Sequence, residues 1–212
     1  MELQLPRSDY RIIYADPPWS FATWSHRGQG KGASQHYTTM TLNDICALPV
    51  SQFVADNAAL FLWVVQPMVP EALDVVRAWG FKFRTVAFVW VKMPMNWHPD
   101  QLSFFETGTR LDPRLGLGYH TRSGAEQCWL AVRGNGKGYE RAEQGIEQVL
   151  HAPLREHSRK PNEIAERIVR LTGDVPRVEL FAREQREGWD SWGLETGKFK
   201  EGSHEFRAWT EL

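Results

Sequence analysis

Apolar residues gather along this chain in short unbroken runs, separated by stretches of helical period. The runs are 10–15 (YRIIYA), 58–65 (AALFLWVV), 83–92 (FRTVAFVWVK), 126–133 (EQCWLAVR) and 177–182 (RVELFA). Several are continuously apolar rather than alternating, the pattern of strands covered on both faces, as in a parallel sheet. Three stretches between them carry helix signals. Thr41 opens TLND, a capping-box-like start, and that segment runs toward Asp56 with a break near Pro49. Pro70 opens PEALDVVRAWG, which sets Leu73, Val76 and Trp79 on one side and stops at Gly80. Pro161 opens PNEIAERIVRLTG, with Ile164, Ile168 and Leu171 on one face and Gly173 as its stop.

Strands alternating with helices predict an α/β fold, with a mainly parallel sheet flanked by helices. The length, 212 residues, predicts one domain over 1–212. Two segments, about 20–37 and 93–122, break the rhythm with glycines, prolines, aromatics and scattered basic residues. Structureless stretches of that length in a compact domain are expected to be binding loops.

Composition narrows the class. Hydrophobic residues are 42% and charged residues 24%, which fits a soluble globular protein and excludes disorder, collagen and a disulfide scaffold. No apolar run approaches the roughly 20 residues that span a bilayer, and MELQLPRSDY has no secretory pattern. Cys46 and Cys128 fall in a helix-like and a strand-like stretch and read as buried thiols in a reducing, cytoplasmic setting. The net charge of −1 gives no general basic coat for nucleic acid, so any such contact needs a local groove. Ten tryptophans stand out, because indoles fill cores and also offer flat faces to bases.

Familiar glycine motifs fail. A phosphate loop around Gly28-Gln-Gly-Lys-Gly32 needs glycine where Ser25 stands and a hydroxyl residue where Gly32 stands. The Gly134–Gly138 segment has Tyr139 where a dinucleotide motif needs glycine, and reads as a turn after a strand. The seven histidines show no metal spacing, so no metal is expected.

The end of the first strand is different. Asp16-Pro17-Pro18-Trp19 sits where open α/β sheets bind ligands, at the carboxyl end of a strand. The two prolines fix φ and are expected to leave their carbonyls without a local N–H partner. A carboxylate, a fixed carbonyl and an indole wall together suit a planar ring bearing an NH₂ group. A strand-terminating Pro-Pro turn with a packing tryptophan is the other reading of the tetrapeptide.

From about Tyr10 to Glu195 the chain resembles the adenine-N6 methyltransferases, the family of the messenger-RNA adenosine methyltransferase catalytic subunit and of many bacterial and phage proteins. The resemblance rests on IIYADPPW at 12–19, HYTTM at 36–40, LFLWV at 60–64, AWGF at 78–81, WVK at 90–92, GLGYHTRSGAEQCWLAVRGN at 116–135, REHSRKPNEI at 155–164 and VELFARE…GWDSWG at 178–193, all in the family's order. It implies a Rossmann-like S-adenosylmethionine-dependent methyltransferase fold in the permuted, β-class motif order.

The same resemblance implies the roles. Asp16 and the Pro17 carbonyl, on the Asp16-Pro17-Pro18-Trp19 catalytic turn, would accept hydrogen bonds from the N6 amine, and Trp19 would stack on or wall the base. Lys160 would pair with the methionine carboxylate of the cofactor. Phe181 and Arg183 on the VELFAR strand, Gln185 and Arg186 in the loop after it, and Gly193, Leu194 and Glu195 would complete the cofactor site together with Asp16. Leu194 departs from the family asparagine, which implies weaker cofactor affinity. Tyr37, Glu126 and Arg155 would line the substrate side. The implied partner is nucleic acid, DNA ahead of RNA for so compact a chain, with a homodimer as a further expectation. An inactive nucleic-acid-binding scaffold is the alternative, and retention of both the acid and the aromatic of DPPW argues against it.

Overall fold

The computed structural model describes residues 3–20, 39–97, 113–116, 120–135, 139–155 and 159–198. Most of the two expected binding loops, and Tyr37 with them, lies outside the described residues.

Seven strands form one sheet: β1 (Tyr10–Ala15), β2 (Val54–Val64), β3 (Lys82–Met93), β4 (Ala125–Arg133), β5 (Val149–Pro153), β6 (Arg177–Leu180) and β7 (Asp190–Trp192). Their order across the sheet is β5-β3-β4-β2-β1-β6-β7. β1 lies between β2 and β6, parallel to both. β3 pairs parallel with β5, and β6 with β7. β4 alone runs the other way, antiparallel to β2 and to β3. The expected mainly parallel sheet is present, with this one reversal. Its consequence is functional: the amino end of β4 lies at the same edge of the sheet as the carboxyl ends of the other six strands.

The unbroken apolar runs are explained by two cores. Ile13, Ala15, Leu60 and Leu62 face one side, packed with Ile45, Val75, Val76 and Trp79. Ile12, Tyr14, Phe61 and Trp63 face the other, packed with Phe88, Trp90, Ile164 and Ile168. Successive strand residues point to opposite faces, so a strand buried on both has no polar alternation.

Among the described residues, three α-helices cover these faces. α1 (Leu42–Cys46) is capped by Thr41, whose hydroxyl accepts from the Asp44 N–H at 3.1 Å. It ends well before Asp56, because Pro49 leads into a 3-10 turn at Val50–Gln52 and Val54 already pairs with Tyr10 in the sheet. α2 (Val69–Ala78) buries Ala72, Val75 and Val76, while Leu73 is only partly covered. Trp79 follows it, fully buried, and its indole N–H donates to the Ile45 carbonyl at 2.9 Å. α3 (Asn162–Thr172) buries Ile164, Ala165 and Ile168, with Leu171 half-covered, and ends at Gly173, whose φ of 74° suits glycine. Cys46 is half-buried and Cys128 is buried; both are free thiols. Among the described residues no helix is long and apolar enough to cross a membrane.

Candidate active site

Asp16 is the first residue beyond β1. Pro17 and Pro18 then turn the chain across the sheet edge, where the Pro18 carbonyl accepts from the Met40 N–H at 2.9 Å and Trp19 bridges to Met40. Two expectations are corrected here. The Pro17 carbonyl does have a local partner, the Trp19 N–H at 2.8 Å, although a carbonyl keeps a second lone pair for another donor. Trp19 is 3% exposed, and its indole N–H donates to the Trp63 carbonyl at 3.2 Å. Its ring is packed into the core, so it presents no open face for a base to stack on.

Beside Asp16 lies a line of alternating charge. The Lys160 ammonium is 2.8 Å from Asp16 Oδ2 and 3.3 Å from Glu126 Oε2, and the Lys92 ammonium is 2.5 Å from Glu126 Oε1. The fold brings the four together: Asp16 and Lys92 come from the carboxyl ends of β1 and β3, Glu126 from the amino end of the reversed β4, and Lys160 from the turn into α3. Both ammonium groups rest on indoles. Lys160 lies 5.3 Å from the Trp63 ring centre and Lys92 5.4 Å from that of Trp90. The two rings meet edge to face, and each is pinned through its N–H, Trp63 to the Tyr14 hydroxyl at 2.7 Å and Trp90 to the Ala152 carbonyl at 2.9 Å.

Burial sets the two acids apart. It raises the Asp16 carboxyl above its ordinary range, and Lys160 only partly offsets this. Burial also opposes the charge on Glu126, but Lys160 and Lys92 together overcome it and hold that carboxyl at about 2. Glu126 is thus firmly ionised, whereas Asp16 is the more basic of the pair.

A second group of predicted residues follows β6. Phe181 has a φ of 62°, uncommon for a non-glycine residue, and its ring packs against Trp79 and Trp192. This turn directs the chain to Arg183, whose guanidinium donates to Glu195 Oε2 at 3.0 Å; Lys198 binds the other oxygen of Glu195 at 2.6 Å. Gly193 lies against the backbone of Ala182 so closely that a Cβ would come within 2.4 Å of its carbonyl oxygen. Leu194 is 71% exposed and Gln185 is exposed.

The other two arginines expected as ligands, Arg186 and Arg155, are also engaged within the protein. Arg186 donates to Glu179 Oε2 at 2.9 Å, to Asn162 Oδ1 at 3.0 Å and to Glu184. Arg155 donates to the same Asn162 oxygen at 2.9 Å. Burial pushes the Glu179 carboxyl up to about 7 even beside Arg186.

Sequence motifs give Lys92, Tyr14, Trp63 and Trp90 no site role. Lys92 had one usable signal, a charge closing a strand that is otherwise apolar from Val86 to Val91. The three aromatics had none, since a core aromatic and one beneath a charged site look alike in a strand.

The MT-A70 family profile matches residues 10–195. The chain belongs to the MT-A70 family. A type II methyltransferase, M.MunI, from a Mycoplasma species is 32% identical over 207 residues, covering 91% of this chain and 80% of its own length. The human N(6)-adenosine-methyltransferase catalytic subunit METTL3 is 30% identical over 178 residues, covering 82% of this chain and 26% of its own length. The Drosophila melanogaster N(6)-adenosine-methyltransferase MT-A70-like protein is 28% identical over 176 residues, covering 82% of this chain and 24% of its own. The chain thus spans most of the Mycoplasma relative and about a quarter of the two animal ones. As an MT-A70 protein it is a methyltransferase with the α/β fold of S-adenosylmethionine-dependent enzymes, and the class requires a methyl donor.

Proposed function

We propose that this MT-A70 protein methylates the N6 amine of adenine in nucleic acid, DNA in preference to RNA, with S-adenosylmethionine as donor. The observation that carries the reading is the Asp16 carboxylate, at the carboxyl end of the central strand, paired with Lys160 and set beside the prolyl turn. The preference for DNA rests on the resemblance to bacterial and phage members of the family.

The residues present fit the donor. Lys160, next to the amino end of α3, suits a carboxylate. Asp16 and Glu126 suit an ammonium or sulfonium charge. Arg183 with Glu195, beyond the Phe181 turn, suits a ribose diol. The backbone contact at Gly193 keeps a side chain out of the same loop. Bound there, S-adenosylmethionine supplies an electrophilic methyl group.

The protein's own part is orientation and charge. An adenine amine is a poor nucleophile because its lone pair is delocalised into the ring. Asp16 Oδ2 is held by Lys160, which leaves Oδ1 to accept an N–H of the amine, while the Pro17 carbonyl accepts the other. Two acceptors aimed at the N–H bonds fix the nitrogen and return its lone pair to the attacking direction. The methylated nitrogen must then lose a proton. Asp16, made more basic by burial, is the adjacent acceptor. Trp19 holds this turn rigid through the Trp63 carbonyl. In a duplex substrate the adenine must first leave the stack.

Incubation with S-adenosylmethionine and double-stranded DNA, single-stranded DNA or RNA in parallel, followed by nucleoside mass spectrometry, tests the proposal. N6-methyladenine in a DNA pool is the expected result. Product in RNA alone would reverse the substrate preference, and product in none would overturn the reading.

A further inference from the structure

Beneath the Lys160 turn lies a buried ionic network that the sequence motifs do not reveal. Arg159 and Glu184 are both 5% exposed, and the Arg159 guanidinium donates to Glu184 Oε2 at 2.7 Å. The other oxygen of Glu184 accepts from Arg186. Arg186 is anchored in turn to Glu179 in β6 and, with Arg155, to Asn162 at the start of α3. Each oxygen of the Glu184 carboxylate therefore serves a different arginine, one from the segment before α3 and one from the loop after β6.

Those two segments carry two of the groups assigned above to the donor site. Lys160 directly follows Arg159, and Arg183 directly precedes Glu184. Lys160 and Arg183 have long side chains, and both lie beyond strand or helix ends. The geometry points to Glu184 as a positioning residue: its bridge between Arg159 and Arg186 fixes the Lys160 turn against the Arg183 loop, and so sets the spacing at which the donor is gripped. This rests on the donor site proposed above, and it assigns Arg186 to holding the loops together rather than to touching the donor.

A buried carboxylate between two guanidiniums also stabilises the fold, so the test must separate positioning from stability. Breaking one partner of a buried pair strands the other charge, whereas neutralising both partners relieves that penalty. Glu184→Gln and Arg159→Gln are therefore compared with the double variant and the wild type. The measurements are melting temperature, backbone hydrogen exchange without ligand, and calorimetric titration with S-adenosylmethionine.

If Glu184 positions the site, exchange rises in both the 159–164 and the 183–186 backbone in each variant. The Kd for S-adenosylmethionine rises about tenfold at unchanged stoichiometry, and the double variant binds as weakly as the singles although it melts higher than either. If its role is only structural, melting temperature falls while Kd is unchanged and exchange rises only near position 184; that pattern overturns the proposal. Should the wild type itself fail to bind S-adenosylmethionine, the donor reading fails and the exchange data alone decide the positioning claim: coupled loosening of both segments upholds it, and loosening of 183–186 alone overturns it.

Discussion

Lys160 and Asp16 stand 144 residues apart in the chain and meet at 2.8 Å, with Glu126 at 3.3 Å on the other side of the same ammonium. One partly buried cation thus serves two carboxylates of different basicity. Glu126 has its folded pKa depressed to about 2 from 4.5. A depressed carboxylate contributes stability that is present above its unfolded pKa and lost as pH falls from about 4.5 toward 2. Glu126→Gln should lower the unfolding free energy at pH 7 by about 3 kcal/mol, the worth of a shift that size. Urea unfolding of both proteins at pH 7 and pH 3 measures this, and the difference should shrink at the lower pH. An equal difference at both pH values would place the effect in packing instead of charge.

Glu179 behaves in the opposite sense. Its folded pKa is about 7, raised by burial, against an ordinary 4.5. The folded state therefore holds a proton that the unfolded chain releases, and the associated stability is fully present below 4.5 and lost as pH rises to about 7. Relative to Glu179→Gln, the wild type should lose about 3 kcal/mol between pH 4.5 and 7.5 and little more above that. Chemical denaturation across this range checks the slope, and a flat difference would show that Arg186 keeps Glu179 ionised throughout.

Gly193→Ala places a methyl group within 2.4 Å of the Ala182 carbonyl oxygen. The Ala182 N–H to Trp192 carbonyl bond of 2.9 Å ties the two segments at this point, so the loop has little room to retreat. A destabilisation of about 1–3 kcal/mol is expected, together with weaker S-adenosylmethionine binding, because Glu195 lies two residues on. Thermal unfolding and calorimetry report the two effects. Wild-type values for both would mean that the close approach is not a constraint.

Leu194→Asn restores the residue that the family resemblance leads one to expect. Leu194 is 71% exposed, so stability should change by less than about 0.5 kcal/mol. Affinity for S-adenosylmethionine should rise several-fold through an added polar contact, worth about 1 kcal/mol. Titration of the two proteins side by side measures it, and equal affinities would show that the asparagine position does not reach the donor.

The central strands were legible because their composition is set by burial on both faces. YRIIYA and AALFLWVV admit little besides a sandwiched strand. The reversal of β4 was not legible, since EQCWLAVR reads the same in either direction. β5 (VLHAP) and β7 (DSW) are short edge strands without an apolar run, and Pro153 is tolerated because it ends an edge strand. Within the site, Asp16, Lys160 and Arg183 were readable from motifs at strand and helix ends. Lys92, Arg159 and Glu184 were not, because their roles depend on which loops the topology brings together. Trp19 misled for a related reason: the sequence places an indole beside the acid, but only its packing shows the ring turned into the core.

The central claim is that Asp16 orients the amine that receives the methyl group. Wild type and Asp16→Asn should be compared for methyl transfer to adenine-containing DNA by nucleoside mass spectrometry, with S-adenosylmethionine binding measured on the same samples. The account predicts N6-methyladenine from the wild type and a loss of at least about 100-fold in kcat for the variant, with donor affinity changed far less. A variant that binds the donor and methylates at the wild-type rate would contradict it.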